Sequence, residues 1–135
     1  MRPVPAWSVA AALLLLAGLV AGCVSAPSPH RVELRIHYSH FEPNVVTVPR
    51  GVAVTFVIVN DDPIDHEWLV GDAAFHERHR HGKEAHHGAR PDEVSVDALT
   101  TVETTLTFAE PGTLQYICHL PGHEAYGMVG TLTIT

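Results

Sequence analysis

Residues 116–128 read Y-I-C-H-L-P-G-H-E-A-Y-G-M and set Cys118, His123 and Met128 at a C-x4-H-x4-M spacing. The runs on either side, residues 114–118 and 128–135, are apolar and β-branched, so the three residues sit on one loop between two strands. A thiolate, an imidazole and a thioether are donors that copper accepts and that calcium or magnesium do not. The set is one ligand short, and the missing donor must be a histidine from elsewhere. His66 is the candidate. It follows the turn residues Asn60 to Pro63 and opens a short apolar stretch around Trp68.

Two imidazoles and a thiolate make a trigonal plane, and a long axial contact to Met128 completes a type 1 copper set of His66, Cys118, His123 and Met128. Zinc also takes histidine and cysteine but has little use for a thioether. His119 adjoins Cys118. Strand alternation sends it to the opposite face, which makes it a surface residue. His30, His37 and His40 read as exposed and carry no role.

Outward from this loop the chain reads as strands. Val32, Leu34, Ile36 and Tyr38 alternate with Glu33, Arg35, His37 and Ser39, which is the period of a half-buried strand. Residues 45–48 resume the pattern after Pro43-Asn44, and residues 52–60 (VAVTFVIVN) form the most β-rich stretch, a central strand. Residues 67–70, 93–96 and 102–108 add three more, separated by turn signals such as Glu110-Pro111-Gly112. Seven or eight short strands predict an all-β, Greek-key β-sandwich in a single domain.

Composition agrees. The chain has 135 residues, a formal net charge of −7 and 46% hydrophobic residues, which bounds it to one folded domain. The acidic balance argues against nucleic acid as a partner. Two cysteines exclude a disulfide-stapled scaffold, and eleven histidines make metal the first question.

These residues resemble the cupredoxins, the family of plastocyanin, azurin, rusticyanin and sulfocyanin. The resemblance covers residues 41–135. It rests on Phe41, Pro43, Val46, Val48 and Gly51, on Asn60, His66 and Trp68, and on Tyr116, Cys118, His123, Met128 and Gly130. It implies a cupredoxin-like sandwich with one type 1 copper, one-electron transfer, and His123 near the surface as the electron exit. One position departs. Many relatives carry Asn or Ser directly after the first ligand histidine, where this chain has Glu67. An anion there lowers the potential unless it points outward.

The N-terminus is a targeting segment. Arg2 precedes an apolar run, residues 9–20 (VAAALLLLAGLV), shorter than the roughly 20 residues of a spanning helix. The run ends in Val20-Ala21-Gly22-Cys23, which resembles a bacterial lipobox. That implies a signal peptide over residues 1–22, lipidation of Cys23, a Pro/Ser tether over residues 23–30 and a domain over residues 31–135. The expected location is the extracytoplasmic face of a bacterial envelope membrane.

Residues 71–92 (GDAAFHERHRHGKEAHHGARPD) read as a polar, irregular, His-rich loop, with a helical turn open as an alternative because residues 73–80 lack breakers. His76, His79, His81, His86 and His87 make it a candidate for secondary weak metal binding, or for docking a partner. Nothing resembles an oxyanion hole, so no enzymatic activity is expected. The functional expectation is a monomeric one-electron carrier serving envelope redox proteins. The alternative is a copper-handling protein that stores or delivers the metal without a redox partner.

Overall fold

A computed structural model describes residues 30–82 and 90–135. In chain order the elements are β1 (His30–His37), β2 (His40–Glu42), β3 (Val45–Val48), β4 (Ala53–Asn60), β5 (His66–Gly71), α1 (Ala73–Arg80), β6 (Glu93–Val96), β7 (Thr101–Thr107), β8 (Gly112–Ile117), α2 (His123–Tyr126) and β9 (Val129–Ile134). The strands form two sheets, one ordered β2-β1-β4-β7 and the other β3-β9-β8-β5-β6. The predicted all-β sandwich is the observed one.

Alternation builds the core between the sheets. Leu34 and Ile36 of β1 and Val54, Phe56 and Ile58 of β4 meet Trp68 and Val70 of β5 and Tyr116, Leu132 and Ile134 from β8 and β9. Phe56 and Trp68 are in ring contact at 4.9 Å. Burying a side chain the size of Phe56 contributes about 1.5–3 kcal/mol, so rows like these supply the driving force. Tyr116 donates its hydroxyl to the Pro43 carbonyl at 2.7 Å. Gly130 lies so close under the Tyr116 ring that an added Cβ would stand 2.1 Å from it.

Three expectations are corrected. Tyr38, assigned to the buried row of β1, is exposed: it and Ser39 take positive φ and turn the chain into β2. That turn adds a strand the sequence pattern did not show. The supposedly irregular residues 71–92 begin with the helix α1. Its N-cap Asp72 accepts the Phe75 N–H at 2.8 Å, and Arg78, His79 and Arg80 fill the last turn, where cations suit the helix dipole. His30, at the end of the expected tether, already pairs with Val54 in β1. The signal segment, Cys23, His86 and His87 lie outside the described residues.

Candidate metal centre

The centre forms where β5, the end of β8 and the loop before β9 meet. Inward alternation along β5 aims His66, Trp68 and Val70 at the core. Continued past β8, the same alternation turns Tyr116 and Cys118 inward and His119 outward. Cys118 donates its N–H to the Met128 carbonyl at 3.2 Å, and Met128 donates to the His123 carbonyl at 3.0 Å. Gly122 and Gly127 take the positive φ angles that close so short a loop around α2. These backbone bonds bracket the loop.

The donor atoms of His66, Cys118 and His123 all lie within 4.8 Å of one another. His66 Nδ1 stands 3.2 Å from His123 Nδ1, and Cys118 Sγ stands 3.3 Å from the same nitrogen. His66 and Cys118 are buried, and His123 is half-buried, so its ring is the one with an edge toward solvent. Met128 is fully buried beside Cys118, through the backbone bond just described.

Hydrogen bonds orient these groups. His66 Nε2 donates to the Asp62 carboxylate at 2.9 Å, which leaves Nδ1 bare and facing His123. Asp62 also accepts the N–H groups of Tyr38 and Ser39 at 2.8 and 2.7 Å. Burial pushes the Asp62 carboxyl up, but those two amides and the His66 ring outweigh it and hold the group below the usual carboxylate range. Asn60 fixes the turn beneath: its Oδ1 accepts the Asp62 N–H, and its Nδ2 faces the carbonyls of Ile64, Val96 and Asp97. Asp62 is a site residue the sequence reading missed, because its partners at positions 38 and 39 are distant in the chain.

Burial pushes the Cys118 thiol up to about 11, only partly offset by the backbone N–H groups of Leu120 and Glu67. The Glu67 N–H reaches Sγ at 3.4 Å. Alternation places the Glu67 side chain, itself buried, on the outer face of the sheet, in register with Ser95 of β6, although its charge still reaches Cys118 and raises the thiol further. Burial, and then the neighbouring His66, lower the His123 ring below its ordinary value. The group therefore offers two imidazoles and a thiol that gives up its proton on binding. That donor set suits copper and is too soft for calcium or magnesium.

The remaining histidines divide. His81 is exposed. His76 and His79 sit on α1 against the outer face of the β5–β8 pair, and His76 is fully buried. His119 points to that face, as alternation required, but it is no surface residue: its side chain is 6% exposed, because α1 covers it. His76 Nδ1 and His119 Nε2 are 2.9 Å apart.

The family model of copper binding proteins of the plastocyanin/azurin family matches residues 31–135. The chain is 28% identical over 142 residues to the copper-resistant cuproprotein CopI of Pseudomonas aeruginosa, covering 82% of this chain and 78% of that protein. It is 34% identical over 97 residues to the protein of the same name from Rubrivivax gelatinosus, spanning 70% of this chain and 59% of the relative. Among solved structures, auracyanin A of Chloroflexus aurantiacus, a "blue" copper protein, superposes with a TM-score of 0.64 at 26% identity, over 80% of this chain and 100% of that one. Auracyanin B superposes at 0.67 with 24% identity, over 82% and 92%.

Proposed function

Because this chain belongs to the plastocyanin/azurin family of copper-binding proteins, we propose that His66, Cys118 and His123, together with Met128, would hold its single type 1 copper, and that the protein is a one-electron carrier of the cell envelope. The observation that carries this reading is the bracketed loop. Backbone bonds among Cys118, His123 and Met128, and the Asp62 clamp on His66, hold the donors together. When bound, copper supplies one-electron chemistry by alternating between its two oxidation states. Rigid donors keep the geometry the same in both, so little reorganisation opposes transfer. His123 gives the electron its exit, since its ring alone among the three has an edge toward solvent.

The names of the CopI relatives favour a second reading, copper tolerance, in which the same centre keeps copper out of harm. In both readings the protein is a non-enzymatic monomer, exported and anchored through lipidated Cys23, with envelope redox proteins as partners in the first.

The test is a visible spectrum of the copper-loaded protein through reduction and reoxidation. An intense thiolate-to-copper band that bleaches and returns is expected. A protein without that band would overturn the ligand set, and one whose band does not return would leave tolerance as the better reading. Met128→Leu is expected to keep the band and raise the potential, because a donor to the oxidised ion is lost.

A further inference from the structure

The outer face of the β5–β8 pair carries a second pair of facing imidazoles, which the proposed copper ligands do not use. His76 is fully buried, and its Nε2 lies 3.0 Å from the Gln115 carbonyl. A carbonyl only accepts, so Nε2 carries the hydrogen and Nδ1 is bare. That bare nitrogen faces His119 Nε2 at 2.9 Å. On its far side His119 presents Nδ1 to the Glu124 carboxylate at 3.3 Å.

The hydrogens do not close this chain. The ring-to-carbonyl and ring-to-ring contacts are hydrogen bonds that take one hydrogen each, and His119 Nδ1 stands at ion-pair distance from a carboxylate, where a hydrogen is also favoured. Two neutral imidazoles supply only two. If His119 donates to His76, a bare nitrogen is left against a carboxylate. If it donates to Glu124, two bare nitrogens face each other in a buried site. A metal cation between the inner nitrogens resolves this, and the outer contacts are then the ones that metal-bound histidines make, one to a backbone carbonyl and one to a carboxylate.

We propose that His76 Nδ1 and His119 Nε2 form a second metal site, for a divalent ion that favours imidazole, Zn(II) or Cu(II), with Gln115 and Glu124 orienting the two rings. The spacing is nearly right. Two nitrogens each about 2.0 Å from a tetrahedral zinc stand about 3.3 Å apart, a few tenths of an ångström wider than the observed gap. His79 frames the site with its ring stacked on His119 at a centroid distance of 5.9 Å. Its Nδ1 hydrogen goes to the Phe75 carbonyl at 2.9 Å. Arg80 holds Glu124 through both carboxylate oxygens, at 3.1 and 3.0 Å from Nε. The site differs from a collector made of the His-rich segment at large: it needs His119 and does not need His81, His86 or His87. It also does not depend on the first centre. His119 follows Cys118 directly, so the two sites occupy opposite faces of one strand end.

The experiment is a calorimetric titration of the full-length chain with Zn(II), in a Cys118→Ser background that removes the thiolate of the first centre. Four proteins are compared: this background alone, the background with His76→Gln, with His119→Gln, and with His81, His86 and His87 all changed to Ala. Cooperative thermal unfolding serves as the folding check. The background and the triple variant are expected to bind zinc alike, and each Gln variant is expected to lose one equivalent while still unfolding cooperatively. Should a Gln variant fail to fold, the imidazole nitrogen resonances of the background protein decide, since zinc must shift His76 Nδ1 and His119 Nε2. Zinc binding unchanged in the Gln variants, or lost in the triple variant, overturns the proposal. So does the absence of zinc binding, which would make the pair a structural contact only. None of these outcomes bears on the thiolate-to-copper band, which is read on the unaltered chain.

Discussion

Two pairs of imidazoles face each other across the same sheet. On the inner side His66 and His123 stand 3.2 Å apart, and on the outer side His76 and His119 stand 2.9 Å apart. Each pair has one ring buried and pinned through its far nitrogen, His66 by the Asp62 carboxylate and His76 by the Gln115 carbonyl. What separates them is the third neighbour. The inner pair has the Cys118 thiol at 3.3 Å and Met128 packed beside it, a soft set fitted to copper in both oxidation states. The outer pair has Glu124 and the guanidinium that holds it. Two similar imidazole pairs thus differ in whether a sulfur stands among the donors or a carboxylate stands behind one ring, and one peptide bond, between Cys118 and His119, joins the two surroundings.

Removing the sulfur breaks the comparison most completely. Cys118→Ser is expected to abolish the thiolate-to-copper band while leaving the outer pair intact. The buried thiol, pushed up to about 11, is protonated at neutral pH, so copper entry must expel its hydrogen. Loading the unaltered chain should release about one proton per copper, and affinity should climb as pH rises toward that value. Titrations in two buffers of different ionisation enthalpy measure the release. Absence of release would mean that Cys118 is not the ligand.

Asp62→Ala comes next. It strips the acceptor from His66 Nε2 and from two backbone amides together. Copper affinity is expected to fall about 10–100-fold, the usual cost of losing a carboxylate behind a ligand histidine. Stability should fall by about 1–3 kcal/mol for the buried donors left unpaired. Chelator competition and urea unfolding measure the two losses. Zinc binding at the outer pair should not change.

How much of this the sequence carried differs between the two faces. The inner one was readable because its donors are unusual and closely spaced: few reasons other than metal put Cys118, His123 and Met128 at even intervals in a turn. Strand alternation supplied the rest, including the face to which His119 points. What alternation cannot carry is the cover. His119 reads as a surface residue until α1 is laid over it, and α1 was legible only as an alternative, a helical turn over residues 73–80, in a segment rich in charge and histidine. Asp62 was hidden in the same way. In the sequence it is one of two aspartates before a proline, an ordinary turn residue, and only the fold brings Tyr38 and Ser39 to it. Local pattern thus specified the donors, while the groups that orient them depend on contacts far apart in the chain.

Gly71→Ala sharpens the comparison from the other side. A Cβ at Gly71 would stand 2.4 Å from the Phe75 ring and 2.7 Å from the Phe75 Cβ, so α1 has to move away from the sheet. The expected cost is about 1–3 kcal/mol, as for overpacking elsewhere. Since His76 follows Phe75 on the helix, zinc binding at the outer pair should weaken, whereas the copper band should keep its position. A shift of the band together with the loss of zinc would show that the two faces are mechanically coupled through β5.

The smallest effect is expected at Arg80. Its guanidinium reaches Glu124 on α2 through Nε and Nη2, and Glu77 on its own helix through Nη1. It is a clamp between the two helices, one bearing His76 and the other His123. The pair lies near solvent, where ion pairs contribute little and salt screens them. Arg80→Ala should therefore lower stability only slightly, by an amount that shrinks further in high salt, as thermal unfolding at two ionic strengths would measure. Losing the guanidinium leaves Glu124 free to turn fully to His119, so zinc binding at the outer pair should be retained. If Arg80→Ala removed it, the arginine would be holding the carboxylate in its working position, and the outer site would depend on the clamp between helices as firmly as the inner one depends on Asp62.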